Sequence, residues 1–405
     1  MKKILLLFAV LFAFGCQSFE DLRAPEDFRH LPRTWENVFE GFWTGMNNNY
    51  VFWNIDPTDW DQAYKDFQPR FAALDRLGFF DRNIPLARQL FTELTQDLID
   101  GHFALFLEGD AQGAIFSAAN RASREEATEG VWISRTIVEN YLAQSMSYTV
   151  PVGATDEWPS ESGRDFDGFS AIVGKIPFRE NSSDSILYFR FTNFYWTAII
   201  SSWRGPHRDA LVEIFNFFAR NLHSSNTRGV IVDLRGNTGG FVSDFDLIWG
   251  QMFSAQSHKI GYILQKIGDN RLDFGPHIPF NIYGHTQSRR DLDVPLALLV
   301  NNFSVSASEI SALFVRSFDN GFIVGSPTWG GLGGLTENRV FNSGQFSTLG
   351  IELSYTASFQ TLDLNRKSWE GIGVQPDFHV PFSEMLFFQG IDGRLEKALE
   401  IIRGN

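Results

Sequence analysis

Two stretches of this 405-residue chain set reactive side chains beside glycines and helix starts. The first is Val230-Ile231-Val232-Asp233-Leu234-Arg235-Gly236-Asn237-Thr238-Gly239-Gly240. An apolar run suited to a buried strand passes directly into a turn of Gly and Asn. Glycine accepts a positive φ and lets a second group come close. Such a turn frees backbone N–H groups to face an anion or a developing oxyanion. Taken alone, the simpler reading is a tight strand-to-helix turn. The segment lacks the Gly-Lys-Ser/Thr ending of a phosphate loop. The second stretch is Val300-Asn301-Asn302-Phe303-Ser304-Val305-Ser306-Ala307-Ser308-Glu309-Ile310. A strand ends, a polar turn follows and a helix begins. A serine there sits where the helix dipole and free N–H groups stabilise negative charge, as a nucleophile attacking a carbonyl requires. Ser306 and Glu309 also fit a Ser-x-x-Glu capping box, so alone this segment reads first as a helix cap.

The elements that must hold these turns alternate in type. Ile186 to Phe191, Gly229 to Leu234, Val294 to Val300 and Phe322 to Val324 read as strands. Leu211, Val212, Ile214, Phe215, Phe218 and Leu222 line one helical face, and Ser308 to Phe318 reads as a helix. Strand, helix, strand, helix, strand implies a mixed α/β core with parallel pairing. Upstream, residues 36–100 are helical and aromatic. Leu86, Leu90, Phe91, Leu94 and Leu98 recur at helical spacing and end at Asp100-Gly101-His102, with Gly101 the expected helix stop. Residues 104–185 are irregular, with short apolar runs between Gly, Ser, Asp and Glu clusters.

Composition narrows the function further. There are 34 Lys and Arg against 48 Asp and Glu, a net charge of −14. Nucleic acid needs clustered Lys and Arg, so it is excluded as a partner. The 41 phenylalanines and 43% apolar content supply enough surface to offset the entropy of ordering. Cys16 is the only cysteine, which excludes an intrachain disulfide and a thiolate metal cage. The histidines form no His-Glu-x-x-His pattern, and neither a metal nor an organic cofactor is expected. Met1-Lys2-Lys3 followed by apolar Ile4 to Phe14 reads as a signal peptide over residues 1–15, too short for a span of about 20 residues. Ala13-Phe14-Gly15-Cys16 resembles a bacterial lipobox, which implies lipid attachment at Cys16 and a linker over 16–35. Gln17 lacks the aspartate that marks inner-membrane retention. The expected place is the cell envelope, at the outer membrane facing periplasm or cell surface.

Together the two turns resemble the tail-specific, or C-terminal processing, family of serine peptidases. Asp233 to Gly240 match its Asp-Leu-Arg-x-Asn-x-Gly-Gly strand end, and Ser306 to Glu309 match its Ser-Ala-Ser-Glu turn. Gly371-Ile372-Gly373-Val374-Gln375-Pro376-Asp377 is similar to its Gly-Val-x-Pro-Asp element. The resemblance covers residues 186–382, and more weakly Trp43, Tyr50 and Asp59-Trp60-Asp61 of a helical cap. It implies that Ser306 is the nucleophile, which needs a base. The best-known branch uses a lysine between two glycines. Gly331 stands at that position, and no lysine occurs between Ser306 and Lys367. The branch that includes the tricorn core uses histidine and glutamate. That likeness implies His102 as general base and acid, and Glu370 as the group that orients it. It also implies an oxyanion hole from the Ala307 amide and a glycine amide of Gly239-Gly240, with Gly239 the first choice.

The chain thus divides into a helical cap over 36–103, an insert over 104–185 that is a degenerate PDZ or unrelated, and a catalytic core over 186–405. The resemblance implies a cofactor-free endopeptidase acting on polypeptides through an acyl-enzyme, held at the membrane by its N-terminal lipid. A non-catalytic binding lipoprotein on the same fold is the alternative, and the oligomeric state stays open.

Overall fold

The computed structural model describes residues 25–78, 80–119, 135–150, 169–202, 205–284, 291–336 and 344–404. The leader, the lipobox and Cys16 lie outside them. A seven-stranded sheet runs in the order Phe378–His379, Gly321–Gly325, Leu296–Val300, Thr227–Asp233, Ser185–Phe191, Ser170–Pro177 and Gln144–Thr149. The first five strands are parallel and the last two antiparallel. Leu296–Val300 is buried at every position, which fits a strand covered on both faces.

Side-chain alternation divides the two faces. Leu187, Phe189, Val230 and Val232 pack with the helices Pro206–Leu222 and Ala307–Arg316. Ile186, Tyr188, Ile231 and Leu299 pack with Leu395, Leu399 and Ile402 of the helix Gly393–Arg403. Parallel pairing has one consequence for function. Asp233 lies opposite Leu299, so the two central strands end at the same edge and carry both turns there. That edge is where open α/β sheets bind ligands.

Three helices form the cap: Trp35–Asn49, Trp60–Asp75 and Ile84–Thr95. Thr34 caps the first by accepting from the Asn37 N–H at 3.2 Å, and Asp59 the second by accepting from Gln62 at 2.9 Å. Their core is aromatic; Phe39 stacks on Phe71 with centroids 4.9 Å apart. It continues onto a four-stranded antiparallel sheet of Phe346–Thr348, Ile351–Tyr355, Ala104–Leu107 and Ile115–Phe116. Ala104 pairs with Tyr355, so the residues after His102 are tied to the segment that leads towards Glu370. A three-stranded sheet of Gln360–Leu362, Ser257–Leu264 and Ile278–Tyr283 completes the molecule.

Two features differ from the sequence reading. The third cap helix ends at Thr95, with Gln96 as its C-cap, so Gly101 does not stop it. Gly101 instead lies where an added Cβ would stand 2.7 Å from the Gly331 Cα. Close approach of two backbones, not helix termination, requires the glycine. Strand pairing also joins the expected insert to the expected core, through Ala104–Leu107 with Ile351–Tyr355 and through Ser170–Pro177 with Ser185–Phe191.

Candidate active site

The glycine turn starts from a buried ion network. Asp233 accepts from the Tyr188 hydroxyl at 2.6 Å and from Arg235 Nε and Nη2 at 2.9 and 2.6 Å. Arg235 reaches on to Asp392 at 2.8 and 2.7 Å. Burial pushes the Asp233 carboxyl up, but the Arg235 guanidinium outweighs it and holds it at about 2. These two residues therefore brace the turn from behind. Gly236, Gly239 and Gly240 all have positive φ, at 73°, 92° and 140°.

The serine turn is stitched onto it. Asn301 Oδ1 accepts from Gly236 N–H at 2.9 Å, the Ser304 hydroxyl donates to the Leu234 carbonyl at 2.8 Å, and Val305 N–H donates to the Asn237 carbonyl at 3.0 Å. Ser306 itself adopts φ 57° and ψ −116°, one of three non-glycine residues with positive φ among those described. Holding a side chain there costs about 1–3 kcal/mol, which packing must overcome. It stands at the N-terminus of the helix Ala307–Arg316, and an added Cβ on Gly239 would lie 2.7 Å from the Ser306 Cβ.

Glu309 joins this turn to the loop that follows the strand Gly321–Gly325. Its fully buried carboxylate accepts from Ser306 N–H at 3.0 Å and Gly331 N–H at 2.8 Å on Oε2. On Oε1 it accepts from the Thr328 hydroxyl and Gly330 N–H, both at 2.7 Å. Burial pushes its carboxyl up to about 7. The expected capping box of Ser306 and Glu309 is present, and most of the Glu309 side chain serves the glycine loop as well.

That loop is the meeting point with the cap. An added Cβ on Gly331 would lie 3.6 Å from His102 Cε1. Glu370 is 3% exposed and accepts from Gly101 N–H at 2.9 Å and Gly333 N–H at 2.8 Å, pinning the histidine loop from the far side. Asp100, which the sequence reading overlooked, holds the same loop. Its Oδ1 accepts from His102 N–H at 2.7 Å and its Oδ2 from Ala357 N–H at 2.8 Å. The His102 side chain is 12% exposed, and its Nδ1 lies 3.9 Å from Asp100 Oδ1. Burial holds the imidazole down at about 4, so it is neutral and able to accept a proton at neutral pH. Burial and then the Asp100 charge push Glu370 well above the usual carboxylate range, and burial raises Asp100 to about 6.

Asp100, His102 and Glu370 each bring one donor atom within 4.8 Å of the others, the one cluster with metal-ligand spacing among the described residues. All four carboxylate oxygens already accept backbone N–H groups. The cluster reads as an imidazole flanked by two carboxylates.

The two amide donors divide differently from the sequence reading. Gly239 N–H donates to Asn237 Oδ1 at 2.9 Å. The amides of Gly240 and Ala307 have no acceptor among the described residues.

The chain is 24% identical over 186 residues to the tricorn protease of Thermoplasma volcanium, covering 46% of this chain and 16% of that much longer protein. A candidate peptidase of Parabacteroides merdae superposes with a TM-score of 0.63 at 20% identity, over 92% of this chain and 97% of that one. Mature CPAF complexed with lactacystin superposes with a TM-score of 0.60 at 14% identity, over 92% and 99%. These superpositions show the mixed α+β fold. Residues 186–380, which carry the glycine turn, Ser306 and Glu370, match the model of peptidase family S41.

Proposed function

We propose that the chain is a serine endopeptidase whose nucleophile is Ser306, whose base is His102 and whose orienting carboxylate is Glu370. The supporting observation is the convergence at Gly331. Its N–H shares Glu309 Oε2 with the Ser306 amide, while its α-carbon faces the His102 ring. In this reading the imidazole takes the Ser306 hydroxyl proton as Oγ bonds to the scissile carbonyl carbon. The carbonyl oxygen becomes an oxyanion between the Gly240 and Ala307 amides. The imidazolium then protonates the leaving amine, leaving an acyl-enzyme that water hydrolyses by the reverse sequence. The substrate class is polypeptide, and lipid attachment at Cys16 would hold the enzyme in the cell envelope.

A fluorophosphonate probe tests the assignment, read beside hydrolysis of fluorescein-labelled casein. The wild type should label and cleave, Ser306→Ala should do neither, and His102→Ala should lose at least about 100-fold of the labelling rate. A folded wild type that neither labels nor cleaves would favour a binding protein on this fold. Labelling of His102→Ala at the wild-type rate would dismiss the base.

A further inference from the structure

Asn237 sits where the glycine turn meets the nucleophile's helix, and no part of it touches solvent. Its side-chain oxygen accepts the Gly239 N–H at 2.9 Å and lies 2.8 Å from the Ser308 hydroxyl. That hydroxyl shares its proton with the Asn237 carbonyl, 2.9 Å away. The Asn237 carbonyl also accepts the Val305 N–H at 3.0 Å, and the side-chain Nδ2 donates to the Phe191 carbonyl at 2.9 Å. One side chain thus joins the ends of two parallel strands, the glycine turn and the first turn of the helix that starts at Ala307. The contact is entirely buried, so each of these hydrogen bonds is costly to leave unmade.

We infer that Asn237, with Ser308 as its partner, is the positioning residue that builds the oxyanion hole: it removes the Gly239 amide from the hole and leaves the Gly240 and Ala307 amides as its two donors. The inference rests on the serine-peptidase reading and says how that site is assembled. Gly239 and Gly240 are consecutive, and both have positive φ. The hydrogen bond to Asn237 turns the Gly239 N–H inward. The Gly239 carbonyl in turn accepts from Phe194 N–H at 2.8 Å, which fixes the peptide plane that carries the Gly240 N–H. Ser308 couples that plane to the Ala307 amide one residue away. The two donors are therefore set by one buried network and need no rearrangement when charge develops, which is what makes such a site effective.

The test uses p-nitrophenyl acetate turnover and the affinity for phenylboronic acid, whose serine adduct carries oxygens where the oxyanion would be. Asn237→Ala should lower kcat by about 100-fold or more while KM stays within about threefold. Boronate affinity should fall with kcat/KM. Ser308→Ala, which removes one bond of the network, should lower kcat by about tenfold, again with weaker boronate binding. Asn237→Asp keeps the acceptor oxygen and should recover part of the loss. If Asn237→Ala fails to fold, Ser308→Ala and Asn237→Asp carry the test. Activity lost without loss of boronate affinity would overturn the inference, as would kcat within threefold of the wild type in Ser308→Ala. Either result leaves the peptidase reading intact, because that reading fails only if the wild type itself does not label or turn over.

Discussion

Glu309 offers a quantitative check on the site. Its carboxylate satisfies four buried donors: the N–H groups of Ser306, Gly330 and Gly331 and the Thr328 hydroxyl. Glu309→Ala orphans all four. An unsatisfied buried donor costs about 1–3 kcal/mol, so the floor for this variant is about 4 kcal/mol before any lost packing. Glu309→Gln is a milder change. With the amide oxygen towards Ser306 and Gly331, its NH2 can donate to Thr328 Oγ1, while the Gly330 N–H and the Thr328 hydroxyl proton lose their acceptor. The expected cost is about 1–3 kcal/mol, reduced because a neutral amide is easier to bury than a carboxylate. Urea unfolding followed by tryptophan fluorescence measures both. The ordering should carry into catalysis, because Gln still holds the Ser306 N–H and Ala does not. Glu309→Gln should keep most of the labelling rate and Glu309→Ala almost none of it. An alanine variant within about 1 kcal/mol of wild type would refute the reasoning, since the four donors would then be paying nothing for the missing carboxylate.

Two further outcomes follow from burial and backbone geometry. Gly239→Ala should label with a fluorophosphonate at least about tenfold more slowly, because φ is 92° and the new Cβ would stand 2.7 Å from the Ser306 Cβ and 2.8 Å from the Val305 carbonyl; labelling at the wild-type rate would mean that the turn is not packed against the nucleophile. Thermal stability should fall between about pH 5 and pH 8. Burial raises Asp100 to about 6, Glu309 to about 7 and Glu370 further, so the folded chain keeps protons that the unfolded chain releases near pH 4, and their stabilisation is complete below that and lost as pH rises through the folded values. His102, held down at about 4, and His258, also lowered by burial, work in the opposite sense below about pH 6.5, against Asp100, Glu309, Glu370 and the likewise raised Asp244. Differential scanning calorimetry across that range checks the sign, and a melting temperature that climbs towards pH 8 would contradict it.

The strands and turns that carry local chemistry were the legible part of this sequence. The run Val230 to Val232 and the run Leu296 to Val300 are apolar throughout because both faces of the sheet are covered, and that pattern is visible without coordinates. Likewise the turn Gly236 to Gly240 announces its positive φ angles by composition alone. Other features depend on partners distant in sequence. Gly101 looks like a helix stop because a C-terminal glycine and a close-approach glycine leave the same mark; only the Gly331 backbone tells them apart. Asp100 carries no motif, since its second acceptor bond goes to Ala357, far along the chain. Which of two adjacent glycines presents its amide depends on the direction of the Asn237 side chain, and no spacing encodes that. The strand Ser170–Pro177 lies in a stretch read as irregular, and its place is fixed by pairing with Ser185–Phe191 on one side and Gln144–Thr149 on the other. The helix Gly393–Arg403, capped by Asp392 and buried through Leu395, Leu399 and Ile402, went unread despite its periodic spacing.

Gly331 has a wider meaning. A side chain grown from that position would set its first carbon 3.3 Å from the Trp329 ring and 3.6 Å from both the Gly101 Cα and His102 Cε1, so the glycine loop and the histidine segment lie against each other here. His102 follows the cap helices, whereas Ser306 follows a strand of the main sheet, and Gly331 stands between the two parts. On the proposed serine-peptidase reading, turnover depends on the seam between them: whatever pries the cap away, whether a partner, a denaturant or a weakened aromatic core, should silence it without touching Ser306.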